Sequence, residues 1–337
     1  MVFFHNHHSN TPILQYSSQY ERQMLRMNPS DRTWLSDHFG ANVLFNEPMS
    51  RHTTFRIGGP VDALVTVKTE QEIRDMVLWA GENGYPIVIL GAGSNLLVRD
   101  GGIRGLMLKL AGDFAAIQLV PKANGSGATV KTGAAVPLRK LAKYAIDQGL
   151  AGLSFGLGIP GTVGGALRMN AGAWGGCMAD STSSIRMLNR QGELVSLDRG
   201  QLRFSYRQLA LEEGAIILSG QFKLLRGDRE ALRQEAVRMQ KQRKSTQPLS
   251  LPSAGSVFRN PPEEKPAGEL IDRAGMKGLR VGGAEVSTVH ANFIVNRGHA
   301  KASDVLTLMG QIREAIHERF GVDLEPEVTI VGQEEDS

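Results

Sequence analysis

The segment PIVILGAGSNLLVRDGG, residues 86–102, decides the fold class, because an apolar strand runs directly into a glycine loop. Upstream, EQEIRDMVLWAGENG (residues 70–84) has the period of an amphipathic helix, with three apolar residues on one face: Ile73, Val77 and Ala80. Before this helix, TTFRIGGPVDALVTV (residues 53–67) is typical of short strands around a Gly-Gly turn. The order strand, helix, strand predicts a small α/β unit.

The glycine loop of this segment, GAGSNLLVRDGG (residues 91–102), contains small residues that can turn several backbone N–H groups toward one anion. The loop lacks the Gly-Lys-Ser/Thr ending of a Walker loop and the G-x-G-x-x-G spacing of a dinucleotide turn. It therefore predicts a phosphate cradle and excludes both a nucleoside triphosphatase and a conventional Rossmann domain.

A second glycine loop, GLGIPGTVGGALRMNAGAWGG (residues 156–176), combines repeated glycine with Pro160 and Asn170 and carries almost no charge. A surface linker would be more polar. A buried, glycine-dense loop with free backbone N–H groups suits a flat ring and a pyrophosphate. Together the two loops predict a dinucleotide site.

Two further helices are predicted from capping and helix-breaking residues at their ends. A helix is predicted in PLRKLAKYAIDQG (residues 137–149) by its initial proline and final glycine. A later helix is predicted from about Ser303, whose hydroxyl can cap it, to Gly321, with Leu306, Met309, Ile312 and Ile316 on one face. We expect five segments: a loosely ordered extension (1–45), a first subdomain (46–112), a second subdomain (113–225), a third α+β domain (226–332) and a tail (333–337).

Composition and charge limit the function classes. The 38 basic and 34 acidic side chains are dispersed along the chain, which argues against a dedicated nucleic-acid protein and suits small phosphorylated ligands. Cys177 is the only cysteine, so we expect neither an intramolecular disulfide nor a metal site. The sequence shows no signal-peptide pattern and no apolar run of about 18 residues. We therefore expect a cytoplasmic protein without a membrane partner.

Seven motifs, in order over about residues 50–332, resemble the MurB family of UDP-N-acetylenolpyruvoylglucosamine reductases: TFRIGG, GAGSNLLV, GIPGTVGGALRMNAGAWG, FSYRQ, PSAGSVFRNP, AGELIDRAGMKGLRVGGAEVSTVHANFIVN and LEPEV. The chain has no long tyrosine-bearing insertion after Ala173 or Tyr206, which is similar to the compact type II members. The resemblance implies an α+β fold in which two subdomains of the vanillyl-alcohol-oxidase (PCMH) type bind FAD. A third α+β domain would bind the substrate.

The resemblance also implies one non-covalent FAD, held mainly by residues 50–225, and neither glycine loop contains a histidine that could form a covalent flavin link. Ten positions match the flavin-contacting positions of the family: Gly91, Gly93, Ser94, Asn95, Ile159, Pro160, Gly161, Gly164, Gly165 and Gly172.

The implied reaction is the NADPH-dependent reduction of UDP-N-acetylglucosamine enolpyruvate to UDP-N-acetylmuramate in peptidoglycan precursor synthesis. Hydride passes from flavin N5 to the enolpyruvyl methylene carbon, and negative charge builds at the α-carbon and carboxylate. By match to the family, Arg207 clamps the carboxylate, Ser256 protonates the α-carbon and Glu327 organises the enol. Without that match, Ser253 is an equal candidate for the acid, and Glu325 is the neighbouring carboxylate.

Asn260 matches a substrate-contacting position of the family, and we also expect Tyr206 and Arg243 to bind the substrate. Thr246 stands where many members carry lysine, so Lys241, Arg243 or Lys244 is left to bind the diphosphate or NADPH. No separate nucleotide fold is visible in the sequence, which implies that NADPH and substrate use one cleft in turn. We expect a monomer or a weak oligomer.

Two other functions are weighed against this one. Another FAD oxidoreductase or oxidase of the same superfamily would not need the proton donor of PSAGSVFRNP or the acid of LEPEV. A non-catalytic nucleotide-binding or RNA-binding module is suggested by the pI near 9.2. An RNA-binding module should show a basic stripe interleaved with aromatic residues. Aromatic residues are 6% of this chain and its cations are dispersed, which argues against that function.

Overall fold

The computed structural model describes residues 27–121 and 127–335. Over these residues the chain forms eight helices: α1 (Pro29–Phe39), α2 (Glu70–Asn83), α3 (Leu138–Asp147), α4 (Val163–Arg168), α5 (Met178–Ser181), α6 (Arg229–Thr246), α7 (Ala267–Arg273) and α8 (Ala302–Phe320). It also forms nineteen strands: β1 (Val43–Pro48), β2 (Pro60–Val67), β3 (Ile87–Leu90), β4 (Leu96–Val98), β5 (Ile103–Leu110), β6 (Ile117–Pro121), β7 (Gly127–Gly133), β8 (Leu150–Ala151), β9 (Gly172–Ala173), β10 (Gly176–Cys177), β11 (Thr182–Leu188), β12 (Leu194–Asp198), β13 (Arg203–Ser205), β14 (Gln208–Ala210), β15 (Ile216–Arg226), β16 (Arg280–Val281), β17 (Ala284–Val286), β18 (Ile294–Asn296) and β19 (Thr329–Val331).

The first subdomain is built on a sheet of order β1-β2-β5-β3. Strands β2, β5 and β3 run parallel, and α2 makes the crossover between β2 and β3 that a parallel arrangement requires. A capping box at Thr69 starts α2, and Gly84 ends it in the left-handed conformation. The predicted apolar face is buried, which confirms the strand-helix-strand unit: Ile73, Val77 and Ala80.

The second subdomain is an antiparallel sheet of order β12-β11-β15-β7-β6, with β8 added beside β15. As predicted, α3 follows Pro137 directly and ends just before Gly149. Helix α4 packs on β15, where the missing side chain of Gly220 leaves room for Leu167. Buried residues of both subdomains form one continuous core. The two subdomains therefore act as one scaffold for the glycine loops.

The third domain is a small antiparallel sheet, β16-β17-β18, that shares a core with α7 and α8. Helix α8 buries Met309, Ile312 and Ile316 of its predicted face, whereas Leu306 is only half-buried. The helix ends at Gly321 in the left-handed conformation. Its predicted cap is wrong, because the helix starts one residue before Ser303. The backbone N–H groups of Ala302 and Ser303 donate to the carboxylate of Asp100, at 2.7 and 2.9 Å. The cap of α8 thus comes from the first subdomain.

Two segments assigned by the sequence to the third domain pack elsewhere. In α6, Leu232 and Ala236 pack against Ile146 of α3 in the second subdomain. Strand β19 pairs in parallel with β4, and Val331 joins the same core as Val98. The predicted boundaries at residues 226 and 332 therefore do not coincide with the packing units, because both ends of the third domain are anchored on the FAD-binding scaffold.

The segment before the first sheet is ordered in the described part of the chain. The expectation of a loose extension through residue 45 is wrong for α1 and the start of β1. Helix α1 is capped by the side chain of Asn28 and buries Leu35 and Phe39. Trp34 stacks on Trp79 of α2, with ring centroids 4.4 Å apart. Only two of its eleven residues are buried, so the helix has little periodic signal. Residues 1–26 lie outside the described residues.

Candidate active site

The two glycine loops lie side by side where β3 ends and α4 begins. The Ser94 hydroxyl of the first loop donates to the Pro160 carbonyl oxygen of the second, at 2.7 Å. A methyl group added at Gly161 would meet only Ser94 Oγ, at 3.7 Å. One added at Gly165 would meet only Thr162 Oγ1, also at 3.7 Å. These glycines line an open cradle whose surface is backbone.

A cleft of about 280 Å³ opens at Gly91 beside this cradle, and Arg51 and Lys109 contribute cationic groups to its wall. Gly91 also lies close to the start of α4, since a methyl group there would be 2.9 Å from Thr162 Oγ1. Exposed backbone and nearby positive charge are the features that bind a pyrophosphate. The residues present therefore fit FAD.

The other predicted glycines are required by packing. Gly93 has φ +62°, and a methyl group there would lie 2.1 Å from the His52 carbonyl oxygen. At Gly164 it would lie 2.9 Å from Ala134 Cβ, and at Gly172 it would lie 2.7 Å from a carbonyl oxygen of β10. These three positions hold the loops in place, and their contact with the cofactor stays a prediction.

Asn95 ties the first glycine loop to the segment before β19. Its side-chain amide donates to the Glu327 carbonyl oxygen at 3.0 Å, and its own carbonyl accepts from the Thr329 N–H at 3.0 Å. Ile159, in the second loop, is half-buried and packs against the core shared by the two subdomains. Asn95, which is predicted to contact flavin, thus also positions the segment that carries the predicted catalytic carboxylate of Glu327.

Arg207 lies at the turn of the β13–β14 hairpin with φ +57°, a conformation that non-glycine residues rarely adopt. Its Nη1 donates to the Gly172 carbonyl oxygen at 3.0 Å, and its guanidinium carbon lies 5.2 Å from the ring centre of exposed Tyr206. Its Nε lies 2.8 Å from Glu327 Oε1. The Nε–H bond does not point at that oxygen, so the contact is an ion pair without a hydrogen bond.

Glu327 is held between the FAD-binding scaffold and the third domain. Its backbone N–H donates to the Val257 carbonyl oxygen at 2.8 Å. Its side chain is 16% exposed. Burial raises the pKa of the Glu327 carboxyl, while the charges of Arg207 and Arg259 act in the opposite direction. The carboxyl therefore takes up a proton more readily than a surface glutamate does.

Ser256 immediately precedes Val257, whose carbonyl oxygen accepts from the Glu327 N–H. It is half-buried and forms a β-bridge with Phe293. Among the described residues, no group is hydrogen-bonded to Ser256 Oγ. Ser253 is also half-buried, and its carbonyl oxygen accepts from the Thr54 hydroxyl at 2.7 Å. The structure thus brings three predicted catalytic residues onto adjacent segments: Arg207, Ser256 and Glu327.

The predicted substrate contacts lie on other elements. The exposed Asn260 accepts from the Ala267 N–H at 3.0 Å and so supports the start of α7. Arg243, in the last turn of α6, lies beside Gly158, where an added methyl group would be 2.8 Å from Trp174 and 3.4 Å from Arg243 Nη1. Burial lowers the pKa of Arg243. Within the described ranges, neither residue is hydrogen-bonded or ion-paired to the three catalytic candidates.

Two arginines near the site were missed by the sequence analysis. Arg168 Nη1 and Arg259 Nε are both shielded from solvent and have no hydrogen-bond partner in residues 27–121 and 127–335. The Nη1 of Arg259 lies 3.5 Å from Glu325 Oε2. A signal for Arg168 was present, because it is the single charge in the second glycine loop.

The described part of the chain contains neither a membrane-spanning helix nor a cluster of metal-ligating side chains. No helix there is long and apolar enough to cross a membrane. No group of three or more His, Cys, Asp or Glu side chains there could hold a metal ion.

The paired subdomains, the glycine cradle and the half-buried Arg207–Glu327 contact define an FAD-dependent oxidoreductase of the α+β class. Residues 61–198 match the FAD binding domain family. Residues 247–331 match the family of the C-terminal domain of UDP-N-acetylenolpyruvoylglucosamine reductase. This second match covers the segment that carries Ser256 and Glu327.

Whole-chain similarity gives the family. The chain is 45% identical over 314 residues to the UDP-N-acetylenolpyruvoylglucosamine reductase of Desulfosudis oleivorans, covering 91% of this chain and 100% of the relative. It is 48% identical to UDP-N-acetylenolpyruvoylglucosamine reductase 2 of Symbiobacterium thermophilum, covering 85% and 91%. The crystal structure of the MurB reductase of Thermus caldophilus matches with a TM-score of 0.73 at 36% identity, covering 86% of this chain and 97% of that one. The chain belongs to the UDP-N-acetylenolpyruvoylglucosamine reductase family, which confirms the family, fold class and FAD predicted from sequence.

Proposed function

We propose that the chain reduces UDP-N-acetylglucosamine enolpyruvate to UDP-N-acetylmuramate in the cytoplasm, as a step of peptidoglycan precursor synthesis, with NADPH reducing its FAD. The observation that carries the proposal is the 2.8 Å contact of Arg207 with Glu327 beside the Ser256 segment. A cation, a carboxyl and a hydroxyl on three converging segments suit an enolate that must be held and then protonated. A flavin oxidase has no step that needs this set.

Arg207 is the group that holds the substrate carboxylate. Nη1 donates one N–H to the Gly172 carbonyl oxygen and Nε lies against Glu327 Oε1, so we assign the remaining N–H groups of Nη1 and Nη2 to a ligand. Two parallel N–H donors at that end of the guanidinium match the two oxygens of a carboxylate. The contacts with Gly172, Glu327 and Tyr206 hold the guanidinium before substrate arrives, so little reorganisation is needed as charge develops.

Ser256 is the proton donor to the α-carbon. Its segment is held by the bridge to Phe293 and by the bond from the Glu327 N–H to the Val257 carbonyl oxygen, which fixes where the hydroxyl lies. A neutral hydroxyl is a weak acid, but the acceptor is a strongly basic enolate carbon. The hydroxyl is therefore adequate when it is positioned.

Glu327 organises the enol. Burial has raised the pKa of its carboxyl, so the group can share a proton with a developing enol oxygen. Its contact with Arg207 keeps carboxyl and guanidinium on the same side of the site. Asn95 fixes the backbone of Glu327 from the flavin-binding side.

FAD, when bound in the cradle, passes the electrons of NADPH to the substrate as hydride. Because the sequence shows no separate nucleotide-binding fold for NADPH, we assign NADPH and substrate to the same cleft in turn. For the substrate diphosphate we propose Arg243, with Lys241 or Lys244 as further cations at the same end of α6. Tyr206 and Asn260 are the proposed contacts for the rest of the sugar nucleotide, and the enzyme is proposed to act as a monomer or weak oligomer.

The decisive experiment is Ser256→Ala followed by stopped-flow absorbance of the flavin in the two half-reactions. Reduction of FAD by NADPH needs no acid and should keep its rate. Reoxidation by the enolpyruvyl substrate should slow by roughly 10² to 10⁴, the usual range for loss of a positioned acid.

Ser253→Ala is the matched control. The substitution keeps the carbonyl group that accepts from Thr54, so the segment should keep its position. Normal reoxidation by Ser256→Ala, or a larger defect in Ser253→Ala, would overturn the assignment of the acid.

A further inference from the structure

Arg168 is a half-buried cation without a counter-charge among the described residues. Its Nη1 is shielded from solvent and lacks a hydrogen-bond partner among residues 27–121 and 127–335, and no ion pair of its guanidinium is found there. Arginine stays protonated even where burial lowers its pKa, as it does here. A shielded guanidinium nitrogen without an acceptor is unfavourable, so its retention points to a ligand that supplies a hydrogen-bond acceptor at this place.

The position of Arg168 on α4 indicates which ligand lies beside its guanidinium. One face of this helix packs into the shared core: Val163, Ala166 and Leu167. Arg168 lies three residues after Gly165, so the two share the opposite face, and Gly165 borders the open cradle. We therefore place the guanidinium beside the cradle that FAD would occupy.

Arg168 lies at the flavin end of that cradle. The start of α4 at Thr162 is beside Gly91, where the cationic cleft suits the pyrophosphate. Arg168 ends the helix, several ångströms further along at about 1.5 Å per residue. Just beyond it, Gly172 holds Arg207, the proposed clamp for the reacting substrate. The reacting substrate and the flavin ring must lie together.

We propose that Arg168 binds the isoalloxazine ring at its N1–C2 carbonyl edge and stabilises the negative charge that this edge gains when the flavin is reduced. Positive charge near N1 is one of the means by which a protein tunes flavin electronics. A guanidinium there favours reduced over oxidised FAD and raises the midpoint potential. The proposal rests on FAD binding alone and not on the proposed substrate.

The test is the midpoint potential of the bound FAD in Arg168→Met, measured by absorbance against a redox dye without substrate. We expect reduced FAD to lose at least tenfold more affinity than oxidised FAD. A tenfold change corresponds to a potential about 30 mV more negative for a two-electron couple. The dissociation constant of oxidised FAD, measured by fluorescence, should change much less.

Two further variants keep the test decisive. Arg168→Gln also removes the charge, keeps a polar group, and should show the same shift if Arg168→Met does not retain FAD. Arg139→Met removes an exposed cation from α3 and should leave the potential unchanged. An unchanged potential in the Arg168 variants overturns the proposal. Equal weakening of both redox states of FAD also overturns it, since that result assigns Arg168 to the pyrophosphate.

Discussion

Replacing Arg207 by lysine keeps the charge but removes the planar fork, so it tests whether geometry or charge makes this residue a clamp. In the structure, Nη1 is engaged by the Gly172 carbonyl oxygen and Nε lies 2.8 Å from Glu327 Oε1, which leaves further N–H groups of Nη1 and Nη2 for a ligand. A lysine ammonium is a single point and cannot reach the Gly172 oxygen and a substrate carboxylate together. Arg207→Lys therefore removes one of these two interactions and the bidentate geometry of the other.

The magnitude follows from the hydrogen bonds that the substitution removes. One hydrogen bond of the guanidinium to Gly172 and one of two to the carboxylate are removed, each contributing about 1.5–3 kcal/mol because a charged group takes part. Together they amount to about 3–6 kcal/mol. At about 1.4 kcal/mol per factor of ten, kcat/KM for the enolpyruvyl substrate should fall by roughly 10² to 10⁴.

The assay is steady-state turnover with the enolpyruvyl substrate, accompanied by flavin reduction with NADPH alone, which should not change. Arg203→Lys is the matched control, because Arg203 is exposed, lies on the same hairpin and donates to the Gly200 carbonyl oxygen at 2.6 Å. Wild-type kcat/KM in Arg207→Lys would refute the reasoning. A larger loss in Arg203→Lys would move the clamp to that residue.

Three further outcomes are expected. Acid precipitation of the purified yellow protein should release its FAD into the supernatant, and colour retained in the pellet would contradict non-covalent binding. Asp100→Ala should lower the free energy of unfolding by about 0.5–2 kcal/mol in urea because it removes the cap of α8. Ser303→Ala should have almost no effect on the free energy of unfolding. A larger loss in Ser303→Ala than in Asp100→Ala would show that the Ser303 hydroxyl caps α8, as the sequence predicted. In Arg259→Met the Glu327 carboxyl loses a charge that favours its ionised form, so its pKa should rise further. The acidic limb of the kcat/KM–pH profile should then move to higher pH, and an unmoved limb would show that Glu327 ionisation does not limit activity.

Local patterns predicted the elements whose causes are local. The period of α2, the proline and glycine that bound α3, and the left-handed glycine after α8 all act within one or two turns of chain. The glycine loops were also visible, because a stretch with so little charge and so much glycine is unusual. The cradle itself could thus be predicted from sequence.

Contacts between distant segments could not be predicted in this way. Nothing near Ser303 shows that Asp100 caps α8, and nothing near Asn95 shows that its side chain holds Glu327. The roles of Arg207, Ser256 and Glu327 came from resemblance to a family, since each residue alone looks like an ordinary surface or loop residue. The partnerless state of Arg168 is a property of three-dimensional burial and has no sequence pattern.

The hydrogen bond between Asn95 and Glu327 also means that the active site can be completed only late in translation. The two residues are 232 positions apart, so the glycine loop leaves the ribosome roughly 10 to 50 s before its partner at ordinary rates of translation. In the later part of that interval, once residue 176 has been added, the nascent chain has both glycine loops but neither β19 nor the catalytic carboxyl. A chain released early, before Glu327, would carry the FAD-binding segments without the residues that use the reduced cofactor. Catalytic competence is thereby confined to chains translated through β19.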